Sequence, residues 1–208
     1  MKPYDTEQDK KEQVREMFDR IAPAYDRLNH TLSFQIDKLW RRHVVRIVRR
    51  MQPRRILDVA TGTGGVQGVG VELAENLLAE ARRKATACGL DERVVRSLGD
   101  AERLEVADAS VDVVTVAFGV RNFGDLGAGL REIARVLKPG GKVVILEFST
   151  PRNPLFRRVY GLYSHRLLPA IGGMISKDRK AYEYLPASVD EFPAPEGIMA
   201  MMRGAGFK

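Results

Sequence analysis

Apolar residues recur at helical spacing in the first quarter of the chain. They fall on one face of a helix over residues 7–20 and again over residues 35–51. Pro23 interrupts the segment after the first run, and Pro53 follows the second. Because proline lacks a backbone donor and clashes with the preceding turn, we expect the chain to break at Pro23 and the second helix to stop before Pro53. The pattern predicts a helical N-terminal extension over residues 1–52.

Beyond residue 53, short apolar runs alternate with helical stretches. Five runs rich in β-branched residues are predicted to be strands: Arg55–Val59, Gly68–Glu72, Arg93–Leu98, Val111–Phe118 and Lys142–Phe148. Two helices are predicted between them: Ala74–Cys88 and Leu126–Leu137, the second ended by the sequence KPGG. Apolar strands that alternate with helices are typical of a parallel sheet covered on both faces. We therefore predict a doubly wound, Rossmann-like α/β fold.

The pattern is less regular after Pro151. Helices are predicted over 154–168 and 196–204, with a glycine-containing stretch over 169–180 between them. The whole chain, 1–208, is expected to form a single domain in three parts: the extension over 1–52, a cofactor-binding core over 53–150, and a substrate or lid region over 151–208.

One connection in the predicted core is unusually short. Only the sequence TGTGGVQ separates the first strand, which ends near Ala60, from the second, which begins at Gly68. Neighbouring parallel strands need a crossover of about a dozen residues or more, whereas a hairpin here would make the pair antiparallel. An antiparallel pair would disrupt the sheet edge at which ligands bind. We therefore expect a crossover helix to be missing after Gly64 or Gly65.

Composition fits one globular domain. The chain has 208 residues, 44% of them hydrophobic and 29% charged. No run approaches 18 apolar residues, and the N-terminus is polar from its start, so neither a transmembrane helix nor a signal peptide is expected. A single cysteine, Cys88, leaves no internal disulfide and no paired-cysteine metal site. We expect a cytoplasmic protein without a metal.

Charge adds one candidate surface. The chain carries 34 basic and 27 acidic residues, a net charge of +7. The densest basic cluster lies on the second helix: Arg41, Arg42, Arg46, Arg49 and Arg50. A solvated helix face explains this cluster most simply, and an anionic membrane surface or RNA are the alternatives.

The candidate chemistry begins at the sequence ATGTGG, which follows the first strand. In a doubly wound sheet, ligands bind at the carboxyl ends of the strands, and glycine lets the backbone approach a ligand closely. The candidate cofactor-loop residues are Thr61, Gly62, Thr63 and Gly64, preceded by Asp58 inside the strand. Glu72 ends the second strand, where a carboxylate could accept hydrogen bonds from two ribose hydroxyls. Asp100 and Ala101 follow the third strand, within reach of an adenine edge.

Two classes of cofactor could explain this arrangement of residues. A dinucleotide fold requires G-x-G-x-x-G opening directly into a helix, so that the pyrophosphate meets the helix N-terminus. The spacing TGTGG after Asp58 fits better to a ligand that has no phosphate, namely S-adenosylmethionine.

Further motifs along nearly the whole chain point the same way. They are Tyr25-Asp26, Asn29, Ser33-Phe34, Leu39–Arg41, Ala117–Asn122 (AFGVRN), Arg135–Gly141 (RVLKPGG), Leu146–Phe148, Tyr163-Ser164, Leu168-Pro169, Tyr182, Tyr184-Leu185 and Gly204–Phe207. In these motifs the chain resembles the ubiquinone/menaquinone biosynthesis C-methyltransferases. RVLKPGG occurs in many methyltransferases, whereas AFGVRN together with the YDRLN and LW motifs is specific.

The resemblance implies a class I methyltransferase that uses S-adenosylmethionine, releases S-adenosylhomocysteine and methylates a ring carbon of a polyprenylated quinol. Demethylmenaquinol is favoured because the N-terminal extension is short, and the ubiquinone precursor is the alternative. Thr63 matches the family's cofactor-loop threonine, Glu72 its ribose-binding acid (usually Asp), and Asp100-Ala101 its adenine pair. Ala117 occupies a position that is often Ser. The family also has a helix between loop and second strand, and further sheet strands beyond the position of Lys208.

Candidate catalytic and substrate residues follow from the same motifs. Arg121 is the first candidate for orienting the phenolate or stabilising its charge, with Asn122 in support; the alternative is that Arg121 pairs with a nearby carboxylate. His165 and Tyr163 are candidates for moving a proton. The candidates for substrate contact are Tyr25, which could fold over the cofactor, Phe118 and Tyr163.

Other functions remain as alternatives. Methyltransferases that act on base amino groups typically carry an Asn/Asp-Pro-Pro-aromatic loop where AFGVRN stands here, and Cys88 lies far from that loop, so no nucleic-acid partner is expected. A catalytically silent cofactor-binding domain is the second alternative. A lipophilic quinol requires an apolar groove, and the apolar region 155–175 with its arginines would suit a lid at an anionic membrane surface. Core packing or a homodimer interface would explain this region equally well.

Overall fold

The computed structural model describes residues 1–64, 68–90, 95–151 and 153–208. The helices within these ranges are α1 Lys10–Leu32, α2 Ile36–Arg50, α3 Glu75–Ala87, α4 Leu126–Val136, α5 Pro154–Leu162, α6 Leu168–Ser176, α7 Arg179–Glu191 and α8 Pro195–Gly204. The strands are β1 Ile56–Val59, β2 Val69–Glu72, β3 Val95–Leu98, β4 Val111–Ala117 and β5 Leu137–Leu146. A 3₁₀ turn, Val120–Asn122, follows β4, and a π-helical turn, Tyr163–Leu167, joins α5 to α6.

The five strands form one parallel sheet in the order β3-β2-β1-β4-β5. Chain order reverses between β1 and β4, which are paired with Leu57 opposite Val114. A crevice opens at such a switch point, because the connections of the two neighbouring strands leave in opposite directions. The doubly wound fold predicted from the sequence is confirmed.

The short connection between β1 and β2 joins a parallel pair, with Leu57 opposite Val69. No helix lies among the described residues of this connection, and the expected break after Gly64 falls next to residues 65–67, which are outside the described ranges. Gly68 has φ +141°, and a Cβ there would lie 2.7 Å from the carbonyl oxygen of Ile56. The chain can therefore enter β2 this close to β1 only through glycine.

The predicted break at Pro23 is wrong, because α1 runs through it to Leu32. A proline inside a helix deprives the carbonyl four residues earlier of its donor, here the carbonyl of Asp19. The side-chain amide of Asn76 donates to that carbonyl at 3.1 Å. Leu28 and Leu32, beyond the proline, are buried. A tertiary hydrogen bond and burial thus compensate for the missing helical bond.

Two boundaries in the second half also differ from the prediction. The KPGG sequence lies inside β5, where it forms an irregularity: Val111 pairs with Leu137 but Val113 pairs with Lys142. Residues 169–180 are largely helical, and α7 was not predicted. Gly172 in α6 allows close contact with α7, because a Cβ there would lie 2.3 Å from the ring of Tyr182. The glycines of KPGG therefore lie within β5 without ending it, and Gly172 allows α6 and α7 to pack closely.

The two largest apolar clusters among the described residues connect the main parts of the fold. The first lies around the sheet and includes Leu57, Val116 and Ile133. The second joins α1 to α6 and α7 through residues such as Leu28 and Tyr182. Because the second cluster fixes the N-terminal helices to the C-terminal ones, both groups of helices contribute to one site at the carboxyl edge of the sheet.

Candidate active site

Two strained turns stand side by side at the switch point. Ala60 follows β1 with φ +54°, and Phe118 follows β4 with φ +62°. Non-glycine residues rarely adopt this left-handed conformation, and such strain concentrates at functional sites. A Cβ on Gly119 would lie 2.6 Å from the Cβ of Ala60, so the two turns are in direct contact.

A cleft opens beside these turns, at the carboxyl ends of β1, β2 and β4. Five predicted cofactor residues line it: Gly62, Glu72, Asp100, Ala101 and Ala117. Four other predicted cofactor residues lie outside its lining: Asp58, Thr61, Thr63 and Gly64. The structure therefore divides the predicted set into residues on the wall of the cleft and residues that support its loop.

Glu72 holds the turn that closes β2. Its carboxylate is buried and accepts hydrogen bonds from the backbone N–H of Gly62 at 2.7 Å and from those of Leu73 and Ala74 at 3.0 Å each. Burial raises the pKa of Glu72, and the three backbone hydrogen bonds oppose this rise. A carboxylate has about four acceptor sites, so roughly one remains for a ligand hydroxyl.

Asp58 supports the loop from inside the sheet. Its two carboxylate oxygens accept the hydroxyls of Thr61 at 2.7 Å and Thr115 at 2.5 Å. Burial raises the pKa of Asp58, while these two hydrogen bonds oppose the rise. Asp58 thus ties the cofactor loop to β4, on which Thr115 lies.

Thr63 and Gly64 connect the loop to its surroundings. The Thr63 hydroxyl donates to Asp26 of α1 at 2.6 Å, and Asp26 also forms an ion pair with Lys84 of α3. Burial works against ionisation of Asp26, but hydrogen bonds from Lys84 and Thr63 outweigh it, so the pKa of this carboxyl is lowered. A Cβ on Gly64 would lie 2.6 Å from the guanidinium of Arg96.

Asp100 is held by a lysine of the N-terminal extension. Lys11 lies 2.6 Å from Asp100 and 2.8 Å from Glu102, and all three residues line the cleft. Burial lowers the pKa of Lys11, but hydrogen bonds to the two carboxylates outweigh it and raise the pKa to about 12. The extension therefore closes the cleft on the side of Asp100.

A larger apolar cavity of about 450 Å³ adjoins the cleft. Its walls come from α1, α2, the turn after β4, α5 and α7, and the π-helical turn. Four residues line both spaces: Phe18, Tyr25, Phe118 and Asn122. The two spaces therefore meet at one shared wall.

Aromatic rings form part of the cavity lining. Phe118 stacks on Phe148 with ring centroids 4.6 Å apart, and Trp40 lies about 6 Å from both rings. The guanidinium of Arg41 lies over the Phe118 ring at 5.3 Å. This cluster fixes Phe118 in its left-handed conformation beside the cleft.

Arg121 lies in the 3₁₀ turn after β4 and lines the apolar cavity. Its Nη1 lies 2.6 Å from Glu147 and donates to the Phe118 carbonyl at 2.7 Å, and its Nε donates to Ser188 at 3.2 Å. Its Nη2 has no hydrogen-bond partner in the described part of the chain, so donors remain. Asn122 accepts the Tyr184 hydroxyl at 3.3 Å.

The remaining candidates occupy different places. Tyr25 lies on the shared wall, and burial raises the pKa of its hydroxyl. Tyr163 lines the apolar cavity and donates to the carbonyl of Leu32 at 2.5 Å. His165 is half-exposed, lies 3.0 Å from Asp190, and is absent from the lining of both spaces. Its role in proton transfer therefore stays a prediction without a contact to either space.

Sequence reasoning missed several residues of the site. Lys11, Glu102, Glu147 and Tyr182 belong to this group, and the Tyr182 hydroxyl is buried without a partner among the described residues. Glu147 and Tyr182 carried a signal, because both lie in motifs recognised in the sequence. The pairing of Asp100 with Lys11 and of Arg121 with Glu147 joins distant parts of the chain and left no local pattern. No cluster of His, Cys, Asp and Glu suited to a metal ion occurs among the residues described.

Comparison with known proteins agrees with the resemblance found in the sequence motifs. A sequence model of the ubiE/COQ5 methyltransferase family matches residues 6–208. The demethylmenaquinone methyltransferase of Bacteroides fragilis is 42% identical over 100% of this chain and 89% of its own length. That of Thermus thermophilus is 48% identical over 92% and 91%. The ubiquinone/menaquinone biosynthesis C-methyltransferase UbiE of Geobacter sulfurreducens is 45% identical over 96% and 82%.

The alignment with the Bacteroides protein spans 218 positions, against 208 residues here, so that relative contains positions without a counterpart in this chain. Among solved structures, a SAM-dependent methyltransferase from Thermotoga maritima superposes with a TM-score of 0.63 at 22% identity. The superposition covers 94% of this chain and 81% of that one, and it shows that the two share a fold.

Proposed function

The chain belongs to the ubiE/COQ5 methyltransferase family, and from that premise we propose that it transfers a methyl group from S-adenosylmethionine to a ring carbon of demethylmenaquinol. The products are menaquinol and S-adenosylhomocysteine. One observation carries the proposal: a cleft at the switch point and an apolar cavity share a wall formed by Tyr25, Phe118 and Asn122, together with Phe18.

The cleft fits the cofactor in its chemistry. Gly62 and Gly99 line it, and at Gly99 a Cβ would lie 2.9 Å from Val71, so the backbone itself forms the wall there. Glu72 keeps an acceptor for a ribose hydroxyl, and Asp100 lies where an adenine amino group could donate. Leu77 and Phe123 supply apolar wall for a flat ring. These residues would hold S-adenosylmethionine.

The cavity fits the substrate. A polyprenyl chain is a long hydrocarbon that gains about 25 cal/mol for each Å² withdrawn from water. The lining is mostly aliphatic and aromatic, for example Ile21, Phe148 and Leu185. A cavity of this size and character suits a quinol with its tail better than a small polar acceptor.

The cofactor supplies an electrophilic methyl group, so the protein has to position the quinol, exclude water and deal with a phenolic proton. Arg121 is rigidly held by Glu147, Ser188 and the Phe118 carbonyl, and it keeps its Nη2 donors for a ring oxygen. A fixed positive group there stabilises the phenolate as negative charge develops on it. Asn122 and Tyr25, on the shared wall, orient the ring toward the methyl group.

The cavity mouth supports contact with a membrane surface. Residues that both line the cavity and are exposed mark this mouth: Phe34, Ile36, Trp40, Phe156 and Val159. Helix α5 has no buried residue, and Leu155 and Leu162 add to its exposed apolar area beside Arg157 and Arg158. Apolar side chains flanked by arginines suit an anionic lipid surface, from which a lipophilic quinol could enter directly. None of the helices described is long and apolar enough to cross a membrane.

A direct assay tests the proposed reaction. The purified protein is incubated with methyl-labelled S-adenosylmethionine and either demethylmenaquinol or the 6-methoxy-benzoquinol of the ubiquinone pathway. Label in the naphthoquinol product supports the proposal, whereas label only in the benzoquinol overturns the choice of substrate. Calorimetry with S-adenosylhomocysteine accompanies the assay. Binding without transfer to either quinol would point to a silent cofactor-binding domain or to a different methyl acceptor, and no binding would reject the assigned cofactor.

A further inference from the structure

A polar group interrupts the apolar lining of the large cavity. Asn29, Ser33 and Asp37 line the cavity where α1 turns into α2. Tyr25, Asn29 and Ser33 are spaced by four residues, so they lie on one face of α1 over about 12 Å. Hydrogen-bonding groups are costly in an apolar wall unless they meet a polar partner. This row leads from the wall shared with the cofactor cleft to Asp37.

Asp37 joins this row to a histidine. The Ser33 hydroxyl donates to one carboxylate oxygen of Asp37 at 2.6 Å, and Nδ1 of His30 lies 2.7 Å from the other. Asp37 is buried and faces the cavity, whereas His30 does not line the cavity and its side chain is 29% exposed. The three side chains thus form a hydrogen-bonded path from the apolar cavity to solvent.

The proposed reaction needs such a path. A ring hydroxyl gives up its proton, the ring carbon bonds to the methyl group, and the S–CH₃ bond breaks with its electron pair left on sulfur. The hydrogen on that ring carbon then leaves as a proton, and the hydroxyl is restored. One proton is therefore released for each methyl transferred, inside a cavity whose lining is mostly apolar. Arg121 cannot accept it, because a guanidinium stays protonated in proteins.

We infer that Ser33, Asp37 and His30 form the outlet for the proton released by methyl transfer, an inference that rests on the proposed function. Before the transfer His30 is neutral with its proton on Nε2, so Nδ1 can accept; the quinol proton passes by way of Ser33 to Asp37 and on to Nδ1, which then donates to Asp37. The imidazolium loses its Nε2 proton to water, and proton exchange with solvent restores the first tautomer. Histidine is suited to this role because its protonation changes near neutral pH. Asp37 carries the proton only in passing.

The charges around Asp37 and His30 are consistent with a proton that passes through Asp37 and is released by His30. Burial opposes ionisation of Asp37, but hydrogen bonds from Ser33 and His30 and the charges of His30 and Arg41 outweigh it and lower the pKa of Asp37. The charge of His30 also helps to lower the pKa of Asp26, which forms an ion pair with Lys84 of α3. The hydroxyl of Tyr163 approaches from the π-helical turn and donates to the carbonyl of Leu32. A carboxylate between these groups can pass a proton on without holding it.

A purely structural role would also use this pair, since it joins the last turn of α1 to the first turn of α2. The test therefore uses His30→Asn, whose side-chain amide keeps a hydrogen-bond donor near the position of Nδ1 but cannot take up a proton. His43→Asn, at an exposed position of α2, is the matched control. Both proteins are assayed with S-adenosylmethionine and demethylmenaquinol from pH 5.5 to 9, with and without added imidazole.

We expect kcat of His30→Asn to fall about tenfold or more. We also expect the wild type to lose activity at low pH, and this loss to be absent from the profile of His30→Asn. Imidazole should restore turnover in His30→Asn in proportion to its neutral form, and leave His43→Asn unchanged. Wild-type kcat in His30→Asn, or a loss that imidazole does not reverse in a protein with wild-type melting temperature, overturns the proton outlet. Failure of the wild type itself to methylate the quinol would instead reject the proposed function.

Discussion

The guanidinium of Arg121 lies 2.6 Å from the carboxylate of Glu147, and the exposed fractions of the two side chains are only 6% and 5%. Arg121 lines the apolar cavity and Glu147 does not. The pairing that sequence reasoning offered as an alternative to a substrate role is therefore present. It does not exclude that role, because Nη2 keeps its donors and the carboxylate fixes the side chain in place.

Arg121→Ala should lower turnover at least about tenfold and leave the affinity for S-adenosylhomocysteine nearly unchanged, because the residue lines the apolar cavity and lies outside the lining of the cofactor cleft. Kinetics with demethylmenaquinol and calorimetry with S-adenosylhomocysteine measure the two effects. Unchanged turnover would remove Arg121 from the mechanism.

The variant also leaves Glu147 buried without its partner, which typically costs about 3–5 kcal/mol. The double variant Arg121→Met with Glu147→Leu removes both charges and should recover most of the stability in urea unfolding, yet stay as inactive as the single variant. If activity returned with stability, the arginine would be acting only through the fold.

Glu72→Gln should weaken cofactor binding and lower stability by about 1–3 kcal/mol, because the amide nitrogen cannot accept the backbone N–H groups that the carboxylate now satisfies. Calorimetry with S-adenosylhomocysteine and urea unfolding are the measurements. Glu75→Gln, at an exposed position three residues further on, is the matched control and should leave both quantities close to the wild type. Equal effects of the two changes would contradict the role given to Glu72.

Gly119→Ala should disturb the contact between the turns after β1 and β4, since its Cβ would lie 2.6 Å from that of Ala60. We expect lower melting temperature and weaker binding of S-adenosylhomocysteine. Gly161→Ala in α5 is the control, because nothing lies within 4 Å of its added Cβ. There the change should be neutral or stabilise by up to about 1 kcal/mol, as alanine favours a helix over glycine. A Gly119→Ala protein that binds and melts normally would show that the two turns can separate freely.

Asp26 predicts a dependence of stability on pH. Its pKa is lowered in the folded protein, so the unfolded chain takes up its proton first as the pH falls. The contribution of Asp26 is therefore complete above its ordinary pKa of 3.8 and is lost as the pH falls through the lower value of the folded state. The difference in unfolding free energy between wild type and Asp26→Asn should be constant from pH 5 to 8 and shrink below pH 4. A difference that is the same at pH 3 and pH 7 would contradict this reasoning.

Membrane contact predicts a loss of vesicle binding when the exposed apolar residues of α5 are changed. Leu155→Ser with Leu162→Ser leaves the lining of the cavity intact, because neither residue belongs to it. Flotation with anionic vesicles at low salt should recover the wild type and much less of the variant, and high salt should weaken both. Wild-type protein that does not float at low salt would reject the membrane surface. A wild type that is dimeric by light scattering and a variant that is monomeric would assign α5 to a dimer interface instead.

Local sequence determined much of the core. The strands, the glycine turn after β1 and the acidic residues at the ends of β2 and β3 were all predicted, because each depends on residues close in sequence. Backbone conformation and strand periodicity are properties of short segments, so their order along the chain places Gly62, Glu72 and Asp100 at one edge of the sheet.

Tertiary structure decided the rest. Helix α1 continues past Pro23 because Asn76, far along the chain, replaces the lost helical hydrogen bond. Arg121 has Glu147 as its partner, and Lys11 reaches Asp100, through packing that no local pattern specifies. The apolar cavity is likewise formed by helices from both ends of the chain. The sequence alone therefore predicted the glycine loop and the acidic residues beside it, whereas the apolar cavity and the contacts of Arg121 exist only once distant helices are packed together.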